Sequence, residues 1–365
     1  MSTPWQYHNP VAVHFGWGVL ERLPALLGEK HAVLVTFPEA AGTGLLARLE
    51  AMLGKRLAGV IDNVQPNPEL DWVSKTYKAF WTKHPDCVVL AVGGGSVLDS
   101  AKMLLPGVAS GYFSEIHAAL AAGKTPAVTR ALPMIAVPTT AGTGSEVTPW
   151  ATLWDRTSAQ PKKYSLHLNE TWPQAALVDP ELTLSLPETV TRNSGLDALS
   201  HALESIWNVN SNPISDTLAV EAARTVLATL PSLLKKPHDR ALRTAAARAS
   251  LLAGLAFSNT KTALAHSISY DMTLLHGLPH GLACSFTLPM VWRLAQGKRA
   301  DRDAVLGRVF GADVGDPASA LETFLGMLGV DTQFSAYGVD EKTARGMIDD
   351  AMQGPRGRNF VGALA

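Results

Sequence analysis

The stretch Cys87-Val88-Val89-Leu90-Ala91-Val92-Gly93-Gly94-Gly95-Ser96 decides the fold of the first half of this chain. Its leading apolar residues predict a buried β-strand, and the glycines predict a turn into a helix that starts near Ser96. Similar apolar runs at 31–36 and 134–137 are separated from it by helical stretches. Apolar strands that alternate with helices are typical of a parallel sheet covered on both faces. The first half is therefore predicted to be an α/β domain.

The glycines of this stretch also predict a phosphate-binding turn. Glycine lets the backbone approach a ligand closely, and a helix N-terminus offers free N–H groups to a diphosphate. The signal is weak alone, because glycine also occurs at such turns for steric reasons and the spacing is not G-x-G-x-x-G. A second loop, 138–146, follows another predicted strand and carries three threonines. Loops at the carboxyl ends of strands flank the ligand crevice of an open α/β sheet.

The second half of the chain has a helical pattern. Asn212-Pro213 predicts a helix start with an N-cap asparagine and a proline in the first turn. Further helices are predicted by apolar periodicity, over 239–258, 260–274, 301–312 and 316–329. We place the domain boundary near Leu186-Pro187, with an α/β domain over 1–186 and an all-helical domain over 187–365.

Four residues of the helical half predict a metal site. Asp197 and His201 stand at i and i+4, so a helix puts both on one face. His266 lies in a helical pattern, and His280 follows fourteen residues later, after a turn. An isolated Asp/His pair is more often a surface or capping pair. One carboxylate and three imidazoles in separate apolar segments suit Fe²⁺ or Zn²⁺ and leave a position open for a substrate oxygen.

Composition excludes several classes of protein. The 365 residues are 47% hydrophobic with a net charge of −1, so neither nucleic acid nor an acidic membrane surface is an expected partner. The start of the sequence has no signal-peptide pattern, and no apolar run reaches membrane-spanning length. Cys87 and Cys284 are predicted to be buried free thiols in a reducing compartment. We therefore expect a cytoplasmic protein.

Taken together, these motifs resemble those of the iron-containing (group III) alcohol dehydrogenases. The resemblance runs in order from about residue 11 to 290 through GGGSVLDSAK at 93–102, PTTAGTGSE at 138–146, DPELT at 179–183, GLDALSHALE at 195–204, His266 and Pro279-His280-Gly281. It implies a dehydroquinate-synthase-like fold, with an N-terminal dinucleotide-binding domain, a C-terminal helical metal-binding domain and catalysis in the cleft between them. It also implies NAD(H) or NADP(H) and Fe²⁺, with Zn²⁺ as the alternative. We further expect a homodimer.

The resemblance assigns roles residue by residue. The implied metal ligands are Asp197, His201, His266 and His280. The implied cofactor contacts are Gly94, Gly95, Ser96, Asp99, Thr139, Thr140, Thr143 and, after the first strand, Phe37. Many members carry a second histidine four residues after the third ligand, where it is assigned to proton handling.

Two positions depart from the family pattern. Tyr270 replaces that second histidine, so the Tyr270 hydroxyl, His276 or water could handle the proton instead. An equally good interpretation is that Tyr270 is buried and only forms a hydrogen bond to the cofactor ribose. Phe37 stands where NAD-preferring members have an acidic residue that binds the adenosine ribose. NADP(H) therefore stays open, although no Arg or Lys flanks Phe37.

The implied reaction is hydride transfer between the nicotinamide and a metal-polarised aldehyde, or from a primary alcohol in reverse. Candidate substrate contacts are Lys261, Arg358 and Trp150, with Arg356 near them in the tail. A cation near the metal would suit an aldehyde with an anionic tail, as in the branch that reduces phosphonoacetaldehyde or sulfoacetaldehyde. The alternative for these cations is a solvent-exposed position.

Other functions compete with this one. The first is a generic short-chain primary alcohol dehydrogenase. Maleylacetate reductase, a metal-free relative, is disfavoured because all four ligands are present. A dehydroquinate-synthase-type lyase would need more basic residues, and intact motifs argue against a non-catalytic scaffold.

Overall fold

The computed structural model describes residues 4–156, 158, 161–311 and 314–364, and these fall into two compact units. The α/β unit consists of 10–140 and 145–185. The helical unit consists of the described residues up to Asn9, the segment Ala141–Gly144 and the described residues from Leu186 onward.

The α/β unit is built on a parallel sheet. Its strands are β1 (Ala12–Phe15), β2 (Ala32–Val35), β3 (Leu57–Ile61), β4 (Val88–Gly93), β5 (Pro106–Gly107), β6 (Arg130–Ala131), β7 (Met134–Pro138), β8 (Trp150–Asp155), β9 (Lys162–His167) and β10 (Ala175–Val178). Its helices are α1 (Leu23–Leu27), α2 (Leu45–Leu53), α3 (Leu70–Lys83), α4 (Gly95–Leu104) and α5 (Phe113–Ala121). Six strands form the sheet in the order β1-β10-β7-β4-β2-β3, while β5–β6 and β8–β9 are antiparallel pairs.

Side-chain alternation along the central strands explains why both faces of the sheet are covered. On β4, Val89 and Ala91 belong to one apolar core, whereas Val88, Leu90 and Val92 belong to the core on the opposite face. A strand with apolar residues on both faces is stable only when helices pack against each side. The three strands predicted from apolar runs are confirmed as β2, β4 and β7, and all three are parallel.

The helical unit consists of α6 (Glu188–Ile206), α7 (Pro213–Lys235), α8 (Arg240–Thr260), α9 (Leu264–Leu274), α10 (His280–Ala283), α11 (Leu288–Ala295), α12 (Ala300–Phe310), α13 (Pro317–Met327) and α14 (Glu341–Gln353). The predicted start of α7 is confirmed, because the Asn212 side chain accepts hydrogen bonds from the backbone N–H groups of Ile214 and Ser215. Alanines on α6, α7 and α8 leave room for these helices to pack closely in one apolar core.

One described helix, α7, has the length and apolar composition of a membrane span. Its apolar residues, among them Ala223, Val226 and Leu230, are buried in the core of the helical unit. Core helices of globular proteins have the same length and composition, so this resemblance to a span is weak.

The predicted helix over 260–274 is wrong at its start. Lys261 has a left-handed φ of 68° and ends α8, with its N–H donating to the carbonyl of Phe257. The next helix, α9, begins at Leu264. Lys261 therefore does not lie on the helix that carries His266, because a non-glycine residue in this conformation breaks the helical hydrogen-bond ladder.

Candidate metal and cofactor sites

Helix α6 brings Asp197 and His201 together as the i, i+4 spacing predicts. The Nδ1 atom of His201 lies 3.6 Å from Oδ1 of Asp197, and both side chains are buried. The imidazole stacks between Phe257, at 4.1 Å between ring centroids, and His266, at 4.5 Å. Its Nδ1 also lies 3.4 Å from the carbonyl of Gly142.

Two further histidines converge on the same carboxylate oxygen. His266 Nε2, on α9, lies 3.5 Å from Asp197 Oδ1, and His280 Nε2, at the start of α10, lies 3.8 Å from it. One ligand atom from each of Asp197, His266, His280 and Cys284 lies within 4.8 Å of the other three. We call these four residues the metal cluster. The structure thus assembles three of the four predicted ligands, places His201 beside them, and adds a cysteine.

Glu204 is a functional residue that the sequence reasoning missed. Its buried carboxylate accepts hydrogen bonds from the backbone N–H groups of Ala263, Ala265 and His266, at 2.9, 2.5 and 3.2 Å, and so caps the N-terminus of α9. It also lies 2.6 Å from His266 Nδ1. A carboxylate accepts only, so Nδ1 of His266 carries a proton, and Nε2 is the nitrogen that faces Asp197. The signal in the sequence is an acidic residue one turn after His201 inside an apolar helix.

Burial and charge set the protonation of this cluster. Burial lowers the pKa of His201 to about 4, against a smaller opposing effect of Asp197, so its imidazole is neutral near pH 7 and available as a ligand. Burial would raise the pKa of Asp197, but the surrounding imidazoles hold it well below its usual range. His266 Nε2 is buried and makes no hydrogen bond to any described group. Burial would lower the pKa of His266, but the carboxylates of Glu204 and Asp197 raise it above its usual value. A divalent cation beside Asp197 would take the place of the proton that this imidazole favours.

The glycine turn lies at the carboxyl end of β4, where α4 begins at Gly95. Gly94 is the N-cap residue, and no side chain in the described ranges caps the helix. A Cβ added at Gly94 would lie 3.2 Å from Thr140 Cγ2, and Thr139 N donates to the Gly93 carbonyl at 3.0 Å. The glycine turn and the start of the loop after β7 are therefore neighbours, and the role of the turn in binding a diphosphate stays a prediction.

Other predicted cofactor residues already have partners within the α/β unit. Asp99 accepts hydrogen bonds from Ser145 Oγ at 2.7 Å and from Thr152 N at 2.8 Å, and Ser96 Oγ accepts from the N–H of Asn67. Phe37 packs against the apolar cores on both faces of the sheet. Thr143 belongs to the segment Ala141–Gly144 of the helical unit. Their contacts with a cofactor stay predictions.

A second buried polar group of residues supports the loop after β7. Lys102 is fully buried, and its Nζ donates to Ser145 O at 2.6 Å, to Ser145 Oγ at 2.7 Å and to Trp150 O at 2.9 Å. Burial lowers the pKa of Lys102 to about 8 and raises the pKa of Glu146 to about 7. We call Lys102, Asp99, Ser145, Glu146 and Thr148 the lysine cluster.

Tyr270 lies one turn after His266 on α9. Burial raises the pKa of its phenol to about 12, so the phenol is neutral near pH 7. The guanidinium of Arg356 lies over its ring, with Cζ 5.2 Å from the centroid, and Nη1 of Arg356 also donates to Thr262 Oγ1. Of the tail arginines, Arg356 is therefore the one placed against α9.

The three predicted substrate contacts have other surroundings. Lys261 is exposed, and Arg358 is exposed with its Nε donating to the carbonyl of Gln353. The Trp150 ring stacks on His167 at 3.9 Å between centroids, across the β8–β9 pair. The substrate roles of these three residues stay predictions.

Comparison with known proteins agrees with this geometry. The sequence pattern of the iron-containing alcohol dehydrogenases matches residues 10–180, and that of the C-terminal region of the Fe-containing alcohol dehydrogenase family matches 191–361. Long-chain-alcohol dehydrogenase 1 of Geobacillus thermodenitrificans is 32% identical over 366 residues, covering 95% of this chain and 90% of the relative. The NAD-dependent methanol dehydrogenase of Bacillus methanolicus is 29% identical, with 94% and 92% covered.

A solved structure supports the same assignment. The sulfoacetaldehyde reductase of Bifidobacterium kashiwanohense, determined in complex with NAD⁺, superimposes with a TM-score of 0.89 at 30% identity, covering 98% of this chain and 95% of that one. Together, the family patterns span both units described above. The chain therefore belongs to the iron-containing alcohol dehydrogenase family of metal- and NAD-dependent oxidoreductases.

Proposed function

We propose that this chain interconverts a primary alcohol and its aldehyde with a nicotinamide cofactor, and that it acts chiefly as an aldehyde reductase. The observation that carries the proposal is the convergence of His266 Nε2 and His280 Nε2 on Asp197 Oδ1, with the His266 nitrogen lacking any hydrogen bond among the described groups. A buried imidazole nitrogen without a partner is costly unless a cation occupies the space beside it.

The residues around this space have separate roles in the proposal. Asp197, His201, His266 and His280 would hold the metal ion, which supplies Lewis-acid polarisation of a carbonyl oxygen, while the nicotinamide supplies the hydride. Glu204 fixes the ring of His266 through its hydrogen bond to Nδ1. Tyr270, neutral because its pKa is about 12, serves as a hydrogen-bond donor and does not relay the proton as a phenolate.

We infer that NAD(H) is the cofactor and that the Gly94 turn holds its diphosphate. In the sequence, no Arg or Lys flanks Phe37 to bind the 2′-phosphate of NADP(H). Gly94→Ala should raise the dissociation constant for NADH at least about tenfold, because a Cβ there crowds the loop beside Thr140. The matched control is Gly346→Ala on α14, where a Cβ meets nothing within 4 Å. Equal NADH affinity in the two variants would place the diphosphate elsewhere.

We further propose that the aldehyde carries a small anionic tail, such as a sulfonate or phosphonate. The support is Arg356, held over the Tyr270 ring and hydrogen-bonded to Thr262 on the segment that leads into α9. A partly buried guanidinium binds a sulfonate or phosphonate through paired, charge-assisted hydrogen bonds. Similarity to a sulfoacetaldehyde reductase points to the same substrate class. Arg356 thus takes the role that the sequence suggested for Lys261.

An NADH oxidation assay tests the proposal with sulfoacetaldehyde, phosphonoacetaldehyde and neutral propanal. Arg356→Gln should lower kcat/KM for the charged aldehydes by about tenfold to a hundredfold, since a charge-assisted contact contributes roughly 1.5–3 kcal/mol, and should leave propanal nearly unchanged. Exposed Arg358 and Lys261 provide the controls, as Arg358→Gln and Lys261→Ala. Equal losses on charged and neutral substrates would contradict the anionic substrate.

The second candidate is a generic alcohol dehydrogenase for neutral primary alcohols. It is favoured by the relatives named for long-chain alcohols and for methanol. Wild-type protein that reduces propanal as well as it reduces either charged aldehyde would establish this alternative. The homodimer and the cytoplasmic location predicted from the sequence stay predictions.

A further inference from the structure

Three asparagine side chains hold the segment 260–262, which joins α8 to α9. The last carbonyls of a helix have no donor within it, and the left-handed φ of Lys261 keeps the chain from continuing as helix. Each carbonyl of this segment instead accepts a hydrogen bond from an asparagine amide. The pairs and their N–O distances are Asn210 to Thr260 at 3.2 Å, Asn208 to Lys261 at 3.1 Å and Asn359 to Thr262 at 2.9 Å. Side chains from elsewhere in the helical unit thus set the path into α9.

Asn359 differs from the other two asparagines because its turn contacts Thr262 twice. The N–H of Asn359 donates to the carbonyl of Arg356 at 3.0 Å, which closes a turn over 356–359. From one end of the turn, Arg356 Nη1 donates to Thr262 Oγ1, and from the other, Asn359 Nδ2 donates to the Thr262 carbonyl. Thr262 is buried, so both of its oxygens need donors. We call residues 356–359 the C-terminal turn.

The C-terminal turn is anchored to the helical unit on both sides. The carbonyl of Asn359 accepts from Val209 N at 2.8 Å, and the next residue, Phe360, is fully buried in the apolar core. On the other side, a Cβ added at Gly357 would lie 2.1 Å from the carbonyl oxygen of Ala351, so the turn packs directly against the end of α14. A turn fixed in this way presents its side chains from a defined position.

The Arg356 guanidinium is held on two sides as a result. Its Nη1 donates to Thr262, and its Cζ lies 5.2 Å from the centroid of the Tyr270 ring. An arginine that is already ordered loses less conformational entropy when it binds an anion than one that moves freely in solvent. The guanidinium has five N–H donors, so donation to Thr262 leaves donors for an anion. The affinity of Arg356 for an anionic tail therefore depends on the residues that hold Thr262.

We propose that Asn359 is a positioning residue that determines specificity for the anionic aldehyde, because it fixes Thr262 and thereby the direction of the Arg356 guanidinium. The inference rests on the proposed anionic substrate and adds to it the residue that orders its binding group. Asn359 acts through Arg356 and makes no contact with the substrate itself. Its loss should therefore affect charged aldehydes and spare neutral ones.

Kinetics of Asn359→Ala with sulfoacetaldehyde and propanal test the proposal. We expect kcat/KM for sulfoacetaldehyde to fall about threefold to tenfold, the usual contribution of one uncharged hydrogen bond, and that for propanal to stay near the wild-type value. The loss should appear in KM, since the tail is bound alike in the ground state and the transition state. Ethanesulfonate, a sulfonate without the aldehyde, should inhibit propanal reduction with a Ki raised by the same factor.

Asn210→Ala is the matched control, because it removes the same kind of hydrogen bond from the Thr260 carbonyl of the same segment. The Asn210 amide also lies 3.5 Å from Asn359 Oδ1, which is too long for a strong hydrogen bond. This variant should change kcat/KM for the two aldehydes by the same factor. Thr262→Val removes the hydroxyl that accepts from Arg356 and should reproduce the selective loss, so it tests the proposal even where Asn359→Ala fails to fold.

A double-mutant cycle shows whether Asn359 acts through Arg356. In the Arg356→Gln background, Asn359→Ala should cause no further loss on sulfoacetaldehyde, because the group that it positions is already gone. Additive losses, or equal losses of Asn359→Ala on both aldehydes, would contradict the positioning role. A selective loss in Arg356→Gln without one in Asn359→Ala or Thr262→Val would overturn that role and leave the anionic substrate standing. The absence of a selective loss in Arg356→Gln would overturn the anionic substrate and the positioning role together.

Discussion

The lysine cluster and the metal cluster differ in whether all their buried polar side-chain atoms have a hydrogen-bond partner. In the α/β unit, Lys102 donates to two carbonyls and to two hydroxyls, and the described part of the lysine cluster has no buried polar side-chain atom without a partner. In the helical unit, the metal cluster leaves His266 Nε2 without one. Both clusters contain ionisable groups with shifted pKa values, so a shifted pKa alone does not distinguish them.

The completeness of its hydrogen bonding helps to assign a role to a buried charged cluster. A cluster that satisfies its own hydrogen bonds needs nothing further and serves to hold a loop, here the one after β7. A cluster that lacks one partner is complete only when something binds. On this basis we expect the metal cluster to serve function and the lysine cluster to serve stability, and mutations should separate the two roles.

The largest effect is expected from Asp197→Ala. This change removes the oxygen on which three other donors converge, so the metal content should fall. The value of kcat/KM should fall with it by more than about a hundredfold, because about a hundredfold is already the upper loss for a residue that only hydrogen-bonds to a metal ligand. Elemental analysis and the NADH assay measure both. The control is Asp71→Ala, which removes an exposed carboxylate on α3. Full metal content in Asp197→Ala would contradict the assignment of the metal cluster as the metal-binding site.

Lys102→Met should act on stability instead. It leaves the buried Glu146 and the half-buried Asp99 without their cation, at an expected loss of about 3 kcal/mol in the free energy of unfolding. Urea unfolding measures this, and Lys75→Met, at an exposed lysine, should change it by no more than about 0.5 kcal/mol. Metal content per folded chain should stay at the wild-type value. A loss of metal without a loss of stability would reverse the assignments of the two clusters.

Glu204→Gln sharpens the account of the metal cluster. An amide can still accept from His266 Nδ1, but it lacks the negative charge and the second acceptor oxygen that together cap α9. We expect metal affinity to weaken about 10–100-fold, measured by competition with a chelator. Glu221→Gln, on the exposed surface of α7, is the control. Unchanged affinity would show that Glu204 only caps the helix.

The smallest expected effect is the pH dependence from Glu146. Its folded-state pKa of about 7 exceeds the ordinary 4.5, so the folded protein holds the proton more tightly and stability falls as pH rises from about 4.5 through 7. Lys102, whose pKa is lowered to about 8, has the opposite effect, because it makes stability rise with pH above about pH 8. The free energy of unfolding of Glu146→Gln should equal that of the wild type near pH 4.5 and exceed it at pH 8. Parallel stability curves for the two proteins would contradict the buried, raised carboxyl.

Much of the fold follows from local sequence. Apolar runs predicted β2, β4 and β7, and Asn212-Pro213 predicted the start of α7, because burial pattern and capping chemistry are set by neighbouring residues. The i, i+4 spacing likewise predicted the approach of His201 to Asp197.

The missed features depend on contacts between distant segments. Glu204 caps α9 across 59 residues of sequence, and Cys284 reaches Asp197 across 87, so no local pattern predicts either contact. The break at Lys261 was missed for a related reason. Its left-handed backbone is stabilised where the Asn208 side chain donates to the Lys261 carbonyl, which periodicity does not encode.

The central claim is that the metal cluster is completed by a catalytic divalent ion. Its most direct test is the metal content and NADH-linked aldehyde reduction of one anaerobic preparation, measured before chelation, after chelation and after re-addition of Fe²⁺ or Zn²⁺. We expect about one ion per chain at the start, loss of the ion and of activity together on chelation, and recovery of both on re-addition. Full aldehyde reduction by metal-free protein would contradict this claim.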